Sequence, residues 1–147
     1  MNFLLKTFNE LSTSELYSLL KLRNAIFIVE QKCAYQDLDD LDLNARHVIL
    51  LNGQDVIGYS RILAPGSAHK EPAIGRVVVH EKFRKKDIGK ALMKYSIAKT
   101  LELYENQTIV ISAQKYLVKF YSEIGFVSFG EDYLEDNIPH IKMKYLL

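Results

Sequence analysis

Cys33 is the only cysteine in the sequence, so no intrachain disulfide can form and a reducing cytosol suits the chain. No apolar run approaches the length of a membrane span. The opening "MNFLLKTFNELS" has neither a long apolar h-region nor a small-residue cleavage site, so no secretory signal is expected and a cytoplasmic location is the default. Proline, glycine and serine never gather into a linker, and neither repeats nor low-complexity tracts appear. Residues 1–147 therefore read as a single domain. The net charge is +1, which supplies no global attraction to nucleic acid or an anionic membrane. The four histidines and Cys33 show no metal-ligand spacing, and no nucleotide-triphosphate loop is present.

What charge there is lies unevenly. From Glu30 to Asp42 five acidic residues face Lys32 alone, and the tract lacks the mid-loop glycine and distant glutamate of a calcium loop. It reads as a solvated acidic loop, with attraction of a cationic amine as the alternative. From His69 to Lys90 seven lysines and arginines outnumber Glu71, Glu81 and Asp87.

Periodicity supplies the elements. "NFLLKTF" is a strand. Ser12 and Glu15 have capping-box spacing ahead of a helical run, read as one helix or as two short ones that break before Phe27. Asn52-Gly53 between two β-rich runs marks a hairpin, which Pro65 and Gly66 end. "IGRVVVH" reads as a buried central strand, and a helix runs from Ile88 to just before Asn106. "TIVIS" is a strand, and "YLVKFYSEIG" is a short helix closed by Gly125. "FVSF" and "HIKMKYLL" are the last strands, paired through a loop containing Pro139. The order β-α-β-β-β-α-β-α-β-β predicts an α/β fold with a mixed sheet and helices packed on it.

A valine-rich strand, then Arg84, Lys85 and Lys86, then a glycine in the first turn of a helix form an anion site. Free N–H groups and the helix dipole favour negative charge there, and Gly89 allows close approach. On its own this fits any diphosphate.

The stretch "VVVHEKFRKKDIGKALM" resembles the acetyl-CoA signature of the GCN5-related N-acetyltransferases, with Arg84 and Gly89 matching. Asp87 stands where the first motif glycine is usual, and its carboxylate repels a pyrophosphate unless it turns away to cap the helix. "ISAQKYLVKFYSEIGF" resembles the family's second motif through Ala113, Tyr121, Gly125 and Phe126. "GYSRIL", "IGRVVV" and "EDNIPHIKM" are similar to the ElaA-like branch, with Asn137 in the place of a turn glycine, a substitution the turn tolerates.

The resemblance implies a mostly antiparallel sheet with helices on both faces and a V-shaped opening between its central strands. It implies that acetyl-CoA is the co-substrate, with no metal, and that a small-molecule or peptide amine is the acceptor. The protein would act as a monomer or homodimer. Backbone groups of Val77, Val78 and Val79 would pair with the pantetheine, one N–H polarising the acetyl carbonyl. Arg84, Lys85, Lys86, Asp87, Ile88, Gly89 and Lys90 would cradle the pyrophosphate, with Gln114 and Phe120 beside the cofactor. For Phe120 plain packing of the helix against the sheet is the reading taken from the residues themselves. Tyr121 would protonate the departing thiolate, a task suited to a phenol.

The base that receives the amine proton stays open among Glu30, Asp136 and His140. Arg23, Arg61 and His47 are weaker candidates for a place in the site, because arginines on regular elements are usually exposed or paired. A non-catalytic acyl-CoA-binding or sensing module, to which Asp87 lends support, and a plain interaction domain are the competing readings.

Overall fold

The computed structural model describes residues 1–105 and 108–146. Asn106, before which the second long helix was expected to stop, and Leu147, at the end of the last expected strand, lie outside them. Seven strands and three α-helices follow the predicted order. They are β1 Asn2–Thr7, α1 Thr13–Arg23, β2 Arg46–Asn52, β3 Asp55–Leu63, β4 Ala73–Val79, α2 Ile88–Leu103, β5 Ile109–Gln114, α3 Val118–Ile124, β6 Phe126–Glu135 and β7 Ile138–Tyr145. The sheet runs β1-β2-β3-β4-β5-β7-β6, and every pairing but β4–β5 is antiparallel.

Local chemistry explains most of these boundaries. The Ser12 hydroxyl accepts from Glu15 N–H at 3.0 Å while Glu15 accepts from Ser12 N–H at 2.8 Å, so α1 begins where the capping box places it. Gly53 sits at φ +64 in the β2–β3 hairpin, and Gly125 ends α3 at φ +118.

Alternation along the strands gives the sheet two apolar faces. Val48 and Ile62 pack with Leu92, Met93 and Ile97 of α2 and with Tyr121 of α3. Ile49 and Tyr59 pack with Leu19 and Leu22 of α1 on the opposite face. Each fully buried aliphatic side chain contributes about 1.5–3 kcal/mol relative to exposure, so both layers are held chiefly by apolar burial.

Four expectations are corrected. The first helix does not break before Phe27; it continues as a wider π-helical turn over Asn24–Glu30, with Gln31 N–H donating to Ile26 O and Cys33 N–H to Ile28 O. Pro139 lies in β7 opposite Leu134, and the β6–β7 turn is made by Asp136 and Asn137 at φ +51 and +63. Asp87 precedes α2 at φ +57, but its carboxylate makes no capping hydrogen bond.

The fourth concerns β4, which is not a regular central strand. Tyr59 pairs with Val78 and Arg61 with Gly75, so β4 carries an extra residue, and Arg76 in that bulge has φ +50. Only Ala73↔Val110 pairs β4 with β5, backed by Val110 N–H on Pro72 O at 3.0 Å. Past that point the two strands separate, opening a V in the middle of the sheet.

Candidate active site

The opening leaves the far half of β4 without a partner on one edge. His80 N–H donates to Ile57 O at 2.8 Å, toward β3. Backbone polar groups alternate sides along a strand, so Val79 and Val77 turn theirs into the V. Val78 faces β3 with its backbone and buries its side chain in the α1 layer. The valine triplet is therefore split, with Val77 and the Val79 N–H available to an incoming strand-like ligand and Val78 structural.

Two recesses flank this edge. The smaller, about 300 Å³, is lined by Val79, Arg84, Lys85, Asp87, Ile88, Gly89, Lys90, Phe120 and Glu123. A methyl on Gly89 would lie 3.5 Å from Phe120 Cζ and 3.8 Å from Val79 Cγ2, which makes Gly89 the floor of a cradle rather than a site of backbone strain. Lys85 and Lys90 make no ion pair among the described residues. Lys86 turns away to lie 5.8 Å over the Phe83 ring. The lining thus suits an anionic, oxygen-rich group.

Arg84 is already engaged. Its Nη1 and Nη2 donate to the two Glu30 oxygens at 2.6 and 2.7 Å, and its Nε donates to Val79 O at 3.1 Å. The Arg84 hydrogen bonds and charge hold the Glu30 carboxyl below its ordinary range, which makes Glu30 a poor proton acceptor. The segment just after it spans the mouth of the V. Gln31 exchanges amide hydrogen bonds with Gln114 at 3.2 and 3.4 Å, and the Cys33 thiol donates to Asp136 O at 3.2 Å. Gln114, expected beside the cofactor, is thus a tie between the two arms of the sheet.

The larger cavity, about 510 Å³, lies within the V itself. Val77, Tyr121, Gln114, Asp136 and His140 line it, together with Arg76, His69, Ser112 and Glu135. Tyr121 is buried with its ring edge-on to Phe120 and Phe126, and its hydroxyl makes no hydrogen bond among the described residues. Burial pushes its phenol above the ordinary range, so it stays protonated and able to donate. His140 Nδ1 faces Ile138 O at 2.6 Å and must be the N–H donor there, since a carbonyl only accepts. Its Nε2 lies 3.3 Å from Glu135 Oε2. Asp136 sits exposed at the turn beside them.

The acidic tract is not a solvated loop. Arg23, wholly buried, donates to Asp37 at 2.9 Å and to Asp42 at 2.8 Å. Arg61 binds Asp39 at 2.7 Å and Asp42 at 3.1 Å, and Arg76 binds Asp37 at 2.7 Å and Asp39 at 3.3 Å. Three arginines and three aspartates neutralise one another and fasten the tract to α1, β3 and β4. His47 is equally structural, held between Tyr59 Oη at 2.6 Å and Asp42 O at 2.9 Å.

Sequence reasoning missed Arg76, Gln31 and Glu135. Arg76 carried a signal, being the single charge inside a valine-rich strand. Gln31 and Glu135 carried none.

Comparison with known proteins bears on this geometry. A family model described as Acetyltransferase (GNAT) domain matches residues 14–147. Protein ElaA of Escherichia coli is 39% identical over 137 residues, covering 92% of this chain and 90% of that protein. The crystal structure of Escherichia coli ElaA superposes with a TM-score of 0.91 at 36% identity over 98% of both chains. An acyl-CoA N-acyltransferase from Pseudomonas aeruginosa gives 0.91 at 36% identity over 99% of both.

Proposed function

The chain belongs to the GNAT acetyltransferase family, in its ElaA-like branch, and on that premise we propose that it moves an acetyl group from acetyl-CoA to a primary amine by direct attack in a ternary complex. The observation that carries the reading is the bulged, half-unpaired β4, with an anion cradle at one end of its free edge and a polar cavity holding Tyr121 at the other.

Acetyl-CoA supplies an activated thioester; the rest is positioning and proton management by this chain. Backbone groups of Val77 and Val79 align the pantetheine, and an N–H on this edge polarises the acetyl carbonyl. The α2 N-terminus, Gly89, Lys85 and Lys90 hold the diphosphate. Arg84 joins them by exchanging Glu30 for phosphate oxygens. The Tyr121 hydroxyl, kept protonated by burial, donates to the leaving thiolate. His140 is the proton acceptor this geometry favours over Glu30 and exposed Asp136. With Nδ1–H held by Ile138 O, its Nε2 is the free base, and the Glu135 carboxylate stabilises the imidazolium that forms.

Titration calorimetry with acetyl-CoA, followed by CoA release with a panel of amines, tests the reading. Tight binding with turnover of at least one amine is expected. Binding without turnover of any amine would make the protein an acyl-CoA-binding module, and no binding would remove the proposal altogether.

A further inference from the structure

We propose that the larger cavity is built for an amine that carries its own carboxylate, with Arg76 on one arm of the V taking the carboxylate and the Glu135–His140 pair on the other taking the amine. This rests on the acetyl-transfer reading and names its acceptor class.

Arg76 carries the first half of the argument. It occupies the left-handed region at φ +50 inside the β4 bulge, a conformation that is strained for a non-glycine residue. Such bulges re-aim side chains beside active sites. Here Arg76 lines the cavity, and its guanidinium is fixed on two sides. Its Nε donates to Asp37 Oδ1 at 2.7 Å, and its Nη2 donates to Asp37 O at 3.0 Å and to Asp39 Oδ2 at 3.3 Å. The Tyr35 ring lies 5.9 Å from its Cζ. Nη1 has no hydrogen-bond partner among the described residues and is not one of the buried unpartnered atoms, so it is open to a ligand. A guanidinium held by two nitrogens and free at the third is a preorganised donor for an oxyanion.

The opposite arm presents acceptors. With the Nδ1 proton of His140 committed to Ile138 O, the outer ring nitrogen Nε2 and the Glu135 carboxylate converge at 3.3 Å. A neutral imidazole there sets two acceptors side by side, and an ammonium placed against both of them supplies the donors they share. Neither Glu135 nor Asp136 has a lysine or arginine partner among the described residues, so this arm stays anionic. Arg76, by contrast, belongs to a cluster whose charges cancel, and its free nitrogen acts through directed hydrogen bonding. A cavity of about 510 Å³ suits a small polar molecule together with the acyl end of a donor. A free amino acid and the C-terminal residue of a peptide with a side-chain amine both present the required pair of groups.

The test uses the wild-type protein and needs no mutation to begin. Free amino acids are compared with their own amides and decarboxylated amines in a CoA-release assay, after acetyl-CoA binding has been measured by calorimetry. The free acid of the best acceptor should exceed its amide by at least about tenfold in kcat/KM, mainly through KM. Arg76→Gln should shrink that gap to within about threefold while acetyl-CoA affinity and melting temperature hold, and Arg76→Lys should restore part of it. If Arg76→Gln unfolds, the wild-type acid-to-amide ratio still decides. Dipeptides ending in lysine, run beside free lysine, separate the two sources of the carboxylate. Amides or simple diamines turned over as well as the acids would overturn the carboxylate assignment and leave acetyl transfer standing. Acetyl-CoA binding with no amine turned over would overturn both.

Discussion

The two charged tracts of this chain, Asp37–Asp42 and Arg84–Lys90, look alike as sequence: short, dense in charge and dominated by one sign. In the fold they part completely. Three arginines from α1, β3 and β4 consume the carboxylates of Asp37, Asp39 and Asp42, and the tract becomes a strut anchored through buried Asp37 and Asp42. The basic tract gives up only Arg84 to Glu30 and leaves Lys85 and Lys90 at an open recess. A run of charge thus acquires its role from partners far away in the chain. Arginine partners turn one run into structure, and the other keeps two lysines without an ion pair among the described residues.

The sharpest way to break this contrast is to remove the arginine at its centre. Arg23→Met should cost about 3 kcal/mol in denaturant unfolding, because buried Asp37 and Asp42 each lose one of two arginine partners and keep only Arg76 and Arg61 respectively. Lys85→Met should stay within about 0.5 kcal/mol of wild type. Acid should act on the same network. Burial pushes the Asp42 carboxyl up, but the Arg23 hydrogen bond and the Arg23 and Arg61 charges outweigh it and leave it below its ordinary range. Asp39 follows the same pattern through Arg61. A carboxyl depressed in the fold contributes stability above its unfolded value of about 3.9, which is lost as pH falls further. The melting temperature should therefore drop on acidification below about pH 4, and less steeply in Arg23→Met. An unchanged slope would mean the aspartates are not held as the geometry implies.

Tyr121→Phe tests the other side of the comparison, the chemistry beyond the cradle. It keeps the ring contacts with Phe120 and Phe126 and removes the proposed proton donor. The expected loss in kcat is ~10²–10⁴, with acetyl-CoA affinity little changed. Because burial raises this phenol, the alkaline limb of the wild-type profile should lie above the ordinary phenol range near about 10 and vanish in the variant. Turnover within about twofold of wild type would reduce Tyr121 to a packing residue.

Gly89→Glu sharpens the contrast at the cradle itself. A carboxylate placed there should weaken acetyl-CoA binding by at least about tenfold while the fold persists. Gly89→Ala is the matched control, since its methyl would meet Phe120 and Val79 at ordinary contact distances. It should leave stability intact and weaken binding far less.

Element order was legible because each element carries its own period and punctuation: Ser12 with Glu15, Asn52-Gly53, Gly125. The loop proposed to hold the diphosphate stood out for the same reason, as strand, basic loop and glycine are consecutive. What stayed hidden depends on register and on distance along the chain. The bulge at Arg76 follows from how β4 meets β3, and no local pattern marks it. The pairing of Glu30 with Arg84 joins residues 54 apart, and that of Gln31 with Gln114 residues 83 apart. The acidic tract misled because its arginines arrive from three separate elements.

Asp87→Gly should give the smallest effect, and its sign is informative. As a helix cap, Asp87 would make the glycine variant slightly less stable. The structure removes that contribution, for the carboxylate makes no capping bond and the backbone sits at φ +57. Glycine adopts that conformation without steric cost, though it gives back about 0.4–1 kcal/mol through the greater freedom of the unfolded chain. The two terms nearly cancel, and the melting temperature should hold or rise by a degree or two, roughly. Binding should move the other way from Gly89→Glu. Asp87 lines the recess beside Lys85 and Lys90, so removing its charge strengthens the field felt by a diphosphate. For an exposed charge this is worth about 0.2–1 kcal/mol, a gain in acetyl-CoA affinity of up to about fivefold that shrinks as salt is added. A loss of affinity on Asp87→Gly, read by the same calorimetry, would mean that the carboxylate organises the loop, and the basic tract would then need an internal partner just as the acidic one does.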